Sequence, residues 1–203
     1  MLAVIPAKSI STRLKNKNIK ILNNKPLIYY SIYAAIKSKL VTRVIVSTDS
    51  RVIANICTSF GAEAPFLRPK SYSKKNTSIK DVCLHAIKFL EKKEKTKIPE
   101  ILILQPTSPL RTSIDIDKAI KLYKKNKNLD YLTSLTKTKP LEWMFYKNSK
   151  EKFTQISDKK IKNSQYLKQN YILNGAIYIM KRNIVFGKKI NFRNISGIEI
   201  PYQ

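Results

Sequence analysis

Short apolar runs recur along the chain, and longer stretches with apolar residues at every third or fourth position separate them. The runs are rich in Val, Ile and Leu, which is typical of strands that are covered on both faces. We predict strands at 2–5 (LAVI), 43–48 (RVIVST), 100–105 (EILILQ), 130–136 (DYLTSLT) and 171–180 (YILNGAIYIM).

The first of the intervening stretches predicts an amphipathic helix over 27–40. Pro26 suits its first turn, because proline fixes the backbone in a helix-compatible conformation and lacks only an N–H that would be unpaired there. Apolar periodicity selects the side that faces the sheet. The inward positions are predicted to be Leu27, Tyr30 and Ala34, together with Ile28 and Ile32.

Three further helices follow, and the sequence offers capping residues for two of them. Ser50 is expected to cap the second helix, and Gly61 to end it in the left-handed conformation. The pair Ser78 and Asp81 has the spacing of a capping box before the third helix, and Ser113 starts the fourth, to about residue 123. Strands that alternate with helices in this way indicate a mostly parallel sheet with helices on both sides.

Residues 137–170 break this alternation. They are polar, rich in lysine and poorly periodic, apart from the aromatic residues Trp143, Phe145 and Tyr146, which are expected to lie in a core or an interface. We interpret the chain as one domain, 1–203, with a small lobe at 137–170.

Polar segments follow the predicted strands, where open parallel sheets bind their ligands. They are residues 6–18, 48–50, 105–111 and 173–175. The first combines lysines, hydroxyls and backbone N–H groups, which suits phosphate oxygens as well as a solvated loop. Asp49 at the second is either a helix cap, a metal ligand or an acceptor for a ribose hydroxyl. His85 is expected to be structural, and Asp115 and Asp117, two residues apart in a helix, not to form a metal pair.

The net charge of +27 favours an anionic partner. Nucleic acid is one alternative, but the lysines are spread over every segment and are not interleaved with aromatics, so we predict a solvated surface and a small polyanionic substrate instead. No apolar stretch approaches the ~20 residues of a membrane span, and the N-terminus lacks signal-peptide features. We therefore expect a cytoplasmic protein with no membrane partner and with Cys57 and Cys83 reduced.

Several segments together resemble the acylneuraminate cytidylyltransferases, the enzymes that activate sialic, legionaminic and pseudaminic acids. They are VIPAKSISTRLKNKNIK, NNKPLIYYSI, RVIVSTDS, FGAEAPFLRP, LILQPTSPLRT and YILNGAIYIMKR, in family order across residues 2–182. The resemblance implies a nucleotidyltransferase-type α/β/α sandwich whose small lobe mediates homodimerisation. It also implies transfer of CMP from CTP to a nine-carbon α-keto acid sugar, with Mg²⁺ as cofactor and pyrophosphate as the second product.

The resemblance also implies roles for individual residues. Lys17, with Arg13 and Lys8, would act on the triphosphate as the catalytic cations. The nucleotide would be bound by Ala7, Ser11, Thr12, Asn18, Arg68 and Ser78, with Arg68 reading the cytosine. The sugar would be bound by Gln105, Thr107, Ser108 and Asn174.

The sequence departs from the family pattern at several points. Thr12 stands in place of a lysine, which Arg13 would replace, and Ile172 stands in place of an arginine. The closely spaced aspartates that bind magnesium in the family follow the segment that ends here at Gln203, which leaves Asp49 as the magnesium candidate. Two alternatives therefore stay open, namely a catalytically degenerate binding protein of the same fold and a synthetase acting on the eight-carbon acid Kdo.

Overall fold

The computed structural model describes residues 1–9, 14–74, 76–149, 151–187 and 195–201. The strands are β1 (Leu2–Pro6), β2 (Ile21–Leu22), β3 (Lys25–Pro26), β4 (Arg43–Ser47), β5 (Glu100–Leu104), β6 (Tyr131–Thr138), β7 (Phe145–Lys147), β8 (Phe153–Gln155), β9 (Asn170–Lys181) and β10 (Ser196–Glu199). The helices are α1 (Leu27–Lys37), α2 (Arg51–Ser59), α3 (Ile79–Glu94), α4 (Ser113–Lys125) and α5 (Arg182–Val185). Short 3₁₀ turns lie at Lys17–Ile19, Lys70–Tyr72, Leu141–Trp143 and Ser164–Tyr166.

Six strands form the central sheet in the order β10-β6-β9-β5-β1-β4. β1 pairs in parallel with β4 and β5, and β10 pairs in parallel with β6. β9 runs antiparallel to both of its neighbours, β5 and β6. The prediction of a mostly parallel sheet is thus confirmed, with one reversed strand in its centre.

The sheet is covered on both faces, as predicted. Successive residues of a strand point to opposite faces, so that Ala3 and Ile5 lie in one apolar cluster with residues of α1, α2 and α4, whereas Val4 lies in a second cluster with α3 and α5. Both clusters are almost fully inaccessible to solvent. The architecture is a three-layer α/β/α sandwich.

The predicted caps are confirmed. The Ser50 hydroxyl accepts from the backbone N–H of Ile53 at the start of α2, and Gly61 follows that helix with φ +87°. Ser78 and Asp81 form the capping box of α3. The inward face of α1 differs from the prediction, because Leu27 and Tyr30 are only half-buried, whereas Ser31 and Ala35 are buried instead.

The lobe at 137–170 contains the β7–β8 hairpin, which lies outside the main sheet. Its aromatic residues do not form a core of their own. Phe145, Tyr146 and Phe153 are 48%, 53% and 69% exposed. No helix among the described residues combines the length and the apolar character needed to cross a bilayer.

Candidate active site at the carboxyl edge of the sheet

A cleft of about 180 Å³ opens where β1, β4 and β5 end. One wall comes from the segment after β1, the second from the turn after β5, and the third from the chain leading into α3. The described residues that line it are Pro6, Lys8, Lys17, Asn18, Arg68, Tyr72, Ser73, Lys74, Thr77, Ile79, Val82, Gln105, Pro106 and Thr107. Four of these side chains are cationic and several others are uncharged hydrogen-bonding groups, so the cleft suits an anionic ligand.

Two side chains hold the segment after β1 in place. The carboxylate of Asp49 accepts from the backbone N–H of Ser9 at 2.7 Å and from its hydroxyl at 3.0 Å. On the other side, the buried Asn18 donates from Nδ2 to the carbonyl of Lys8 at 2.9 Å. Lys8 and Lys17 both reach the cleft from this anchored segment. Ala7 is buried at its base, where its N–H donates to Ser47.

Three of the residues expected to bind the triphosphate, Ser11, Thr12 and Arg13, lie outside the described residues. The described residues continue from Leu14. Asn16 has φ 54° and precedes the 3₁₀ turn that contains Lys17. Positive φ is tolerated by Asn better than by most residues, and Asn16 adopts it directly before this turn.

The structure excludes one of the roles considered for Asp49 from the sequence. Asp49 is not the helix cap, because Ser50 makes that contact. Both of its oxygens already accept from Ser9, and the described residues contain no cluster of three or more acidic, histidine or cysteine side chains able to hold a metal ion. The described donor set therefore does not fit a magnesium site built from protein carboxylates.

Arg68 lies on the wall of the cleft and is only 4% exposed. Its backbone N–H donates to the carbonyl of Thr48, and its Nε donates to the hydroxyl of Ser73 at 3.2 Å. Burial lowers the pKa of Arg68, and the negative charge of Asp49 opposes this shift. A buried guanidinium that opens onto a cleft is suited to bind a planar acceptor such as a nucleobase edge or a carboxylate.

Ser78 is the N-cap of α3 and is exposed, and its hydroxyl hydrogen bonds with Asp81. The neighbouring Thr77 and Ile79 line the cleft in its place. His85, one helix turn further on from Val82, lies against Phe66 and Tyr72 at ring separations of 4.8 and 5.1 Å. Burial lowers the pKa of His85, which agrees with the predicted structural role.

Gln105 and Thr107 form the wall of the cleft after β5. Behind Gln105 lies Gly175, whose φ of +78° favours glycine. A Cβ at this position would lie 3.1 Å from Oε1 of Gln105, so the absence of a side chain lets the two groups pack closely. Ser108 is buried within the turn and does not line the cleft.

The segment 173–175 was expected to follow the end of a strand, and this was wrong. Asn174 lies within β9, and it reaches the carboxyl edge of β5 only because β9 runs in the opposite direction. Its Oδ1 accepts from Ser134 and from the N–H of Ala176, and its Nδ2 donates to Thr136. These contacts stabilise the register shift between β6 and β9, where Ser134 of β6 lies opposite the β9 residues 174–177, and they direct the Asn174 amide toward β6 instead of the cleft.

The structure thus brings six of the predicted residues together in one cleft and places four others behind it or beside it. Those in the cleft are Lys8, Lys17, Asn18, Arg68, Gln105 and Thr107, and those outside its lining are Ala7, Ser78, Ser108 and Asn174. Sequence reasoning missed Tyr72, Ser73, Lys74, Thr77, Ile79 and Val82, which form the third wall. Their only signal was that they lie between Arg68 and the predicted third helix or in the first turn of that helix.

Known proteins resemble this chain along most of its length. The sequence profile of a family described as cytidylyltransferase matches residues 2–194. The CMP-N,N'-diacetyllegionaminic acid synthase of Legionella pneumophila is 35% identical over 186 residues, which cover 88% of this chain and 77% of that protein. The N-acylneuraminate cytidylyltransferase of Escherichia coli O18:K1:H7 is 33% identical over 90% of this chain, which spans 42% of that protein's length.

The fold is also shared with solved structures. The structure of a CMP:2-keto-3-deoxy-manno-octonic acid synthetase complexed with CTP superposes with a TM-score of 0.73 at 17% identity, covering 98% of this chain and 89% of the other. At this identity the likeness concerns the α/β fold alone.

Proposed function

The chain belongs to the cytidylyltransferase family, and we propose that it transfers CMP from CTP to a nine-carbon α-keto acid sugar of the sialic, legionaminic or pseudaminic type. The anomeric hydroxyl of the sugar attacks the α-phosphorus of CTP. The bond from that phosphorus to the oxygen that bridges it to the β-phosphate breaks, pyrophosphate leaves with that oxygen, and the hydroxyl proton passes to solvent water. The observation that carries the proposal is that Lys8, Lys17, Arg68, Gln105 and Thr107 line one cleft.

In this proposal the cations bind the nucleotide. Lys8 and Lys17 attract the triphosphate from the anchored segment after β1, and Arg13 and the hydroxyls of Ser11 and Thr12 are assigned to the same triphosphate by the resemblance alone. Phosphoryl transfer depends mainly on positioning and charge stabilisation, so lysines held at the edge of a sheet are suitable catalytic groups. Arg68, held by Ser73, is assigned to the cytosine.

Gln105 and Thr107 are assigned to the sugar, because they lie on a different wall of the cleft from Arg68 and carry uncharged donors and acceptors. We assign Ser108 and Asn174 to the support of this wall, since Ser108 donates its N–H to the carbonyl of Gln105 and Asn174 holds the strand that packs behind it.

Two further elements of the proposal concern magnesium and assembly. Magnesium would reduce the charge repulsion between substrate phosphates, and the described residues assign no protein ligand to it. The lobe at 137–170 would form a homodimer interface, since its aromatic side chains are exposed and monomeric proteins rarely leave large apolar patches uncovered. Sedimentation analysis of the wild type and of a Phe153→Ser variant tests the second point.

A pyrophosphate-release assay tests the function. CTP is supplied with N-acetylneuraminic, legionaminic, pseudaminic or Kdo acid, each with and without magnesium, and ATP replaces CTP as the control. We expect release that depends on both CTP and a nine-carbon acid. Binding of CTP with no release for any acid contradicts the proposed reaction and supports a binding protein, whereas release with Kdo alone redirects the proposal to the eight-carbon substrate.

A further inference from the structure

Arg111 is a buried arginine with no carboxylate partner among the described residues. It is 2% exposed, and the residue closest to balancing its charge is Asp115, which acts only at a distance. Burial lowers the pKa of Arg111 to about 9, so the guanidinium still carries its charge at neutral pH. Burying an unpaired charge is costly, and an apolar side chain of the same size would usually be the more stable choice.

The guanidinium connects three elements at the carboxyl edge of the sheet. Its Nη1 donates to the carbonyl of Gln105 at 3.2 Å and to the carbonyl of Ala176 at 2.7 Å. Its Nη2 donates to the hydroxyl of Ser31 in α1 at 2.6 Å, and that hydroxyl donates to the carbonyl of Gln105 at 3.3 Å. One side chain therefore fixes the end of β5, the middle of β9 and the inner face of α1.

These contacts lie directly behind the side chain of Gln105. Gly175, against which the Gln105 amide packs, immediately precedes Ala176. Because Arg111 holds the backbone of both Gln105 and Ala176, it sets the separation between the Gln105 side chain and its support. The donors of a lysine all lie on one freely rotating nitrogen, whereas the rigid fork of arginine donates to several separated acceptors in a fixed geometry.

We propose that Arg111 is a positioning residue for sugar binding, which acts by holding Gln105 in the orientation that contacts the substrate. The inference rests on the proposed function, because it takes Gln105 as a sugar-binding residue. It assigns Arg111 no contact with CTP. A displacement of about 1 Å in a positioned group is enough to reduce turnover by up to 100-fold, so the effect of losing the fork is measurable.

A double-mutant cycle tests this inference, using Arg111→Lys, Gln105→Ala and the double variant. We expect Arg111→Lys to raise the KM for the acid sugar about tenfold and to leave the Kd for CTP within twofold of wild type. If Arg111 acts through Gln105, the double variant is no worse than Gln105→Ala alone. Additive effects, or a parallel loss of CTP binding, overturn the inference.

Two further variants exclude a general loss of stability. Arg182→Lys is the matched control, because Arg182 also makes a forked contact, with Glu91, but at the opposite edge of the sheet. It should leave both constants unchanged. Where Arg111→Lys does not fold, Ser31→Ala removes one of the guanidinium's partners and should raise the sugar KM in the same direction, and an unchanged KM there overturns the inference.

A binding-independent measurement separates this inference from the proposed reaction. The side-chain amide signal of Gln105 in a ¹⁵N–¹H spectrum is identified by its loss in Gln105→Ala. We expect it to be sharp in wild type and shifted or broadened in Arg111→Lys, while signals from Asn18 stay unchanged. A Gln105 signal that is neither shifted nor broadened overturns the positioning role even when no acid sugar reacts, and a shifted or broadened one supports it when the reaction fails.

Discussion

Replacing Asp49 by alanine should weaken CTP binding by releasing the segment after β1. The carboxylate accepts two hydrogen bonds from Ser9, at 2.7 and 3.0 Å. A hydrogen bond to a charged group contributes about 1.5–3 kcal/mol, and Asp49 is half-buried, so we take the lower value for each and obtain about 3 kcal/mol for both. The contact from Asn18 to the carbonyl of Lys8 remains and limits the release.

The apparent Kd follows from how often the released segment occupies its binding position. If that fraction falls to between a tenth and a hundredth, the Kd for CTP rises 10- to 100-fold, or about 1.4–2.8 kcal/mol, within the energy of the two lost hydrogen bonds. Asp49→Asn retains an acceptor oxygen and should show roughly half of this free-energy loss. Combining Ser9→Ala with Asp49→Ala should give less than the sum of the two single losses.

Isothermal titration calorimetry with CTP, in magnesium and in EDTA, distinguishes an anchor from a metal ligand. An anchoring role predicts the same loss in both buffers, because the contacts to Ser9 involve no metal. Asp130→Ala is the matched control, since Asp130 forms an exposed ion pair with Lys181 at the other edge of the sheet. A wild-type Kd in Asp49→Ala, or a loss confined to the magnesium buffer, would refute the reasoning.

Three further predictions concern other parts of the molecule. Ser73→Ala removes the acceptor of the Arg68 Nε and should reduce the preference for CTP over ATP about fivefold by calorimetry; an unchanged preference contradicts the role of Arg68 in reading the base. Asp117→Asn should cost about 1 kcal/mol in urea unfolding at pH 7, because Asp117 accepts from Ser38 and two backbone N–H groups. Partial burial raises the pKa of Asp117, but these contacts outweigh it and lower that pKa. The stability difference between Asp117→Asn and wild type should therefore shrink as the pH falls below 3.8 and through the lowered pKa. A stability difference that does not change with pH would contradict this prediction. Burial raises the pKa of both cysteines to about 12, so neither should react with a disulfide reagent at pH 8 until the protein is unfolded.

The sheet and its helices were predictable because their signals are local. The β-branched run at Arg43–Ser47 and the capping box at Ser78 depend on neighbouring residues only, and the structure confirms both. The direction of β9 was not predictable in this way. The alternation of apolar residues that predicts a strand does not indicate the direction of that strand in the sheet. The direction of β9 is set by its pairing with β5 and β6, which are distant in sequence.

The residues of the candidate site were predictable only where their position follows from the strand order. Lys8, Lys17 and Gln105 follow strands that end at one edge, so their proximity could be inferred from topology. Asp49 and Asn174 also lie near this edge, but Asp49 accepts a hydrogen bond from Ser9 and Asn174 accepts one from Ser134. Their side chains therefore support the cleft from behind. Which hydrogen-bond partner a polar side chain has depends on three-dimensional packing, and no periodicity along the chain indicates it.

The register of β6 and β9 has a consequence for protein engineering. Thr138 and Asn170 are directly paired across this antiparallel ladder, so the lobe is an excursion from the tip of a β-hairpin. A two-residue Asn-Gly turn could join the two strands in its place without altering any pairing in the sheet. The sandwich that holds the cleft and the surface that the lobe presents are therefore separable by a single excision.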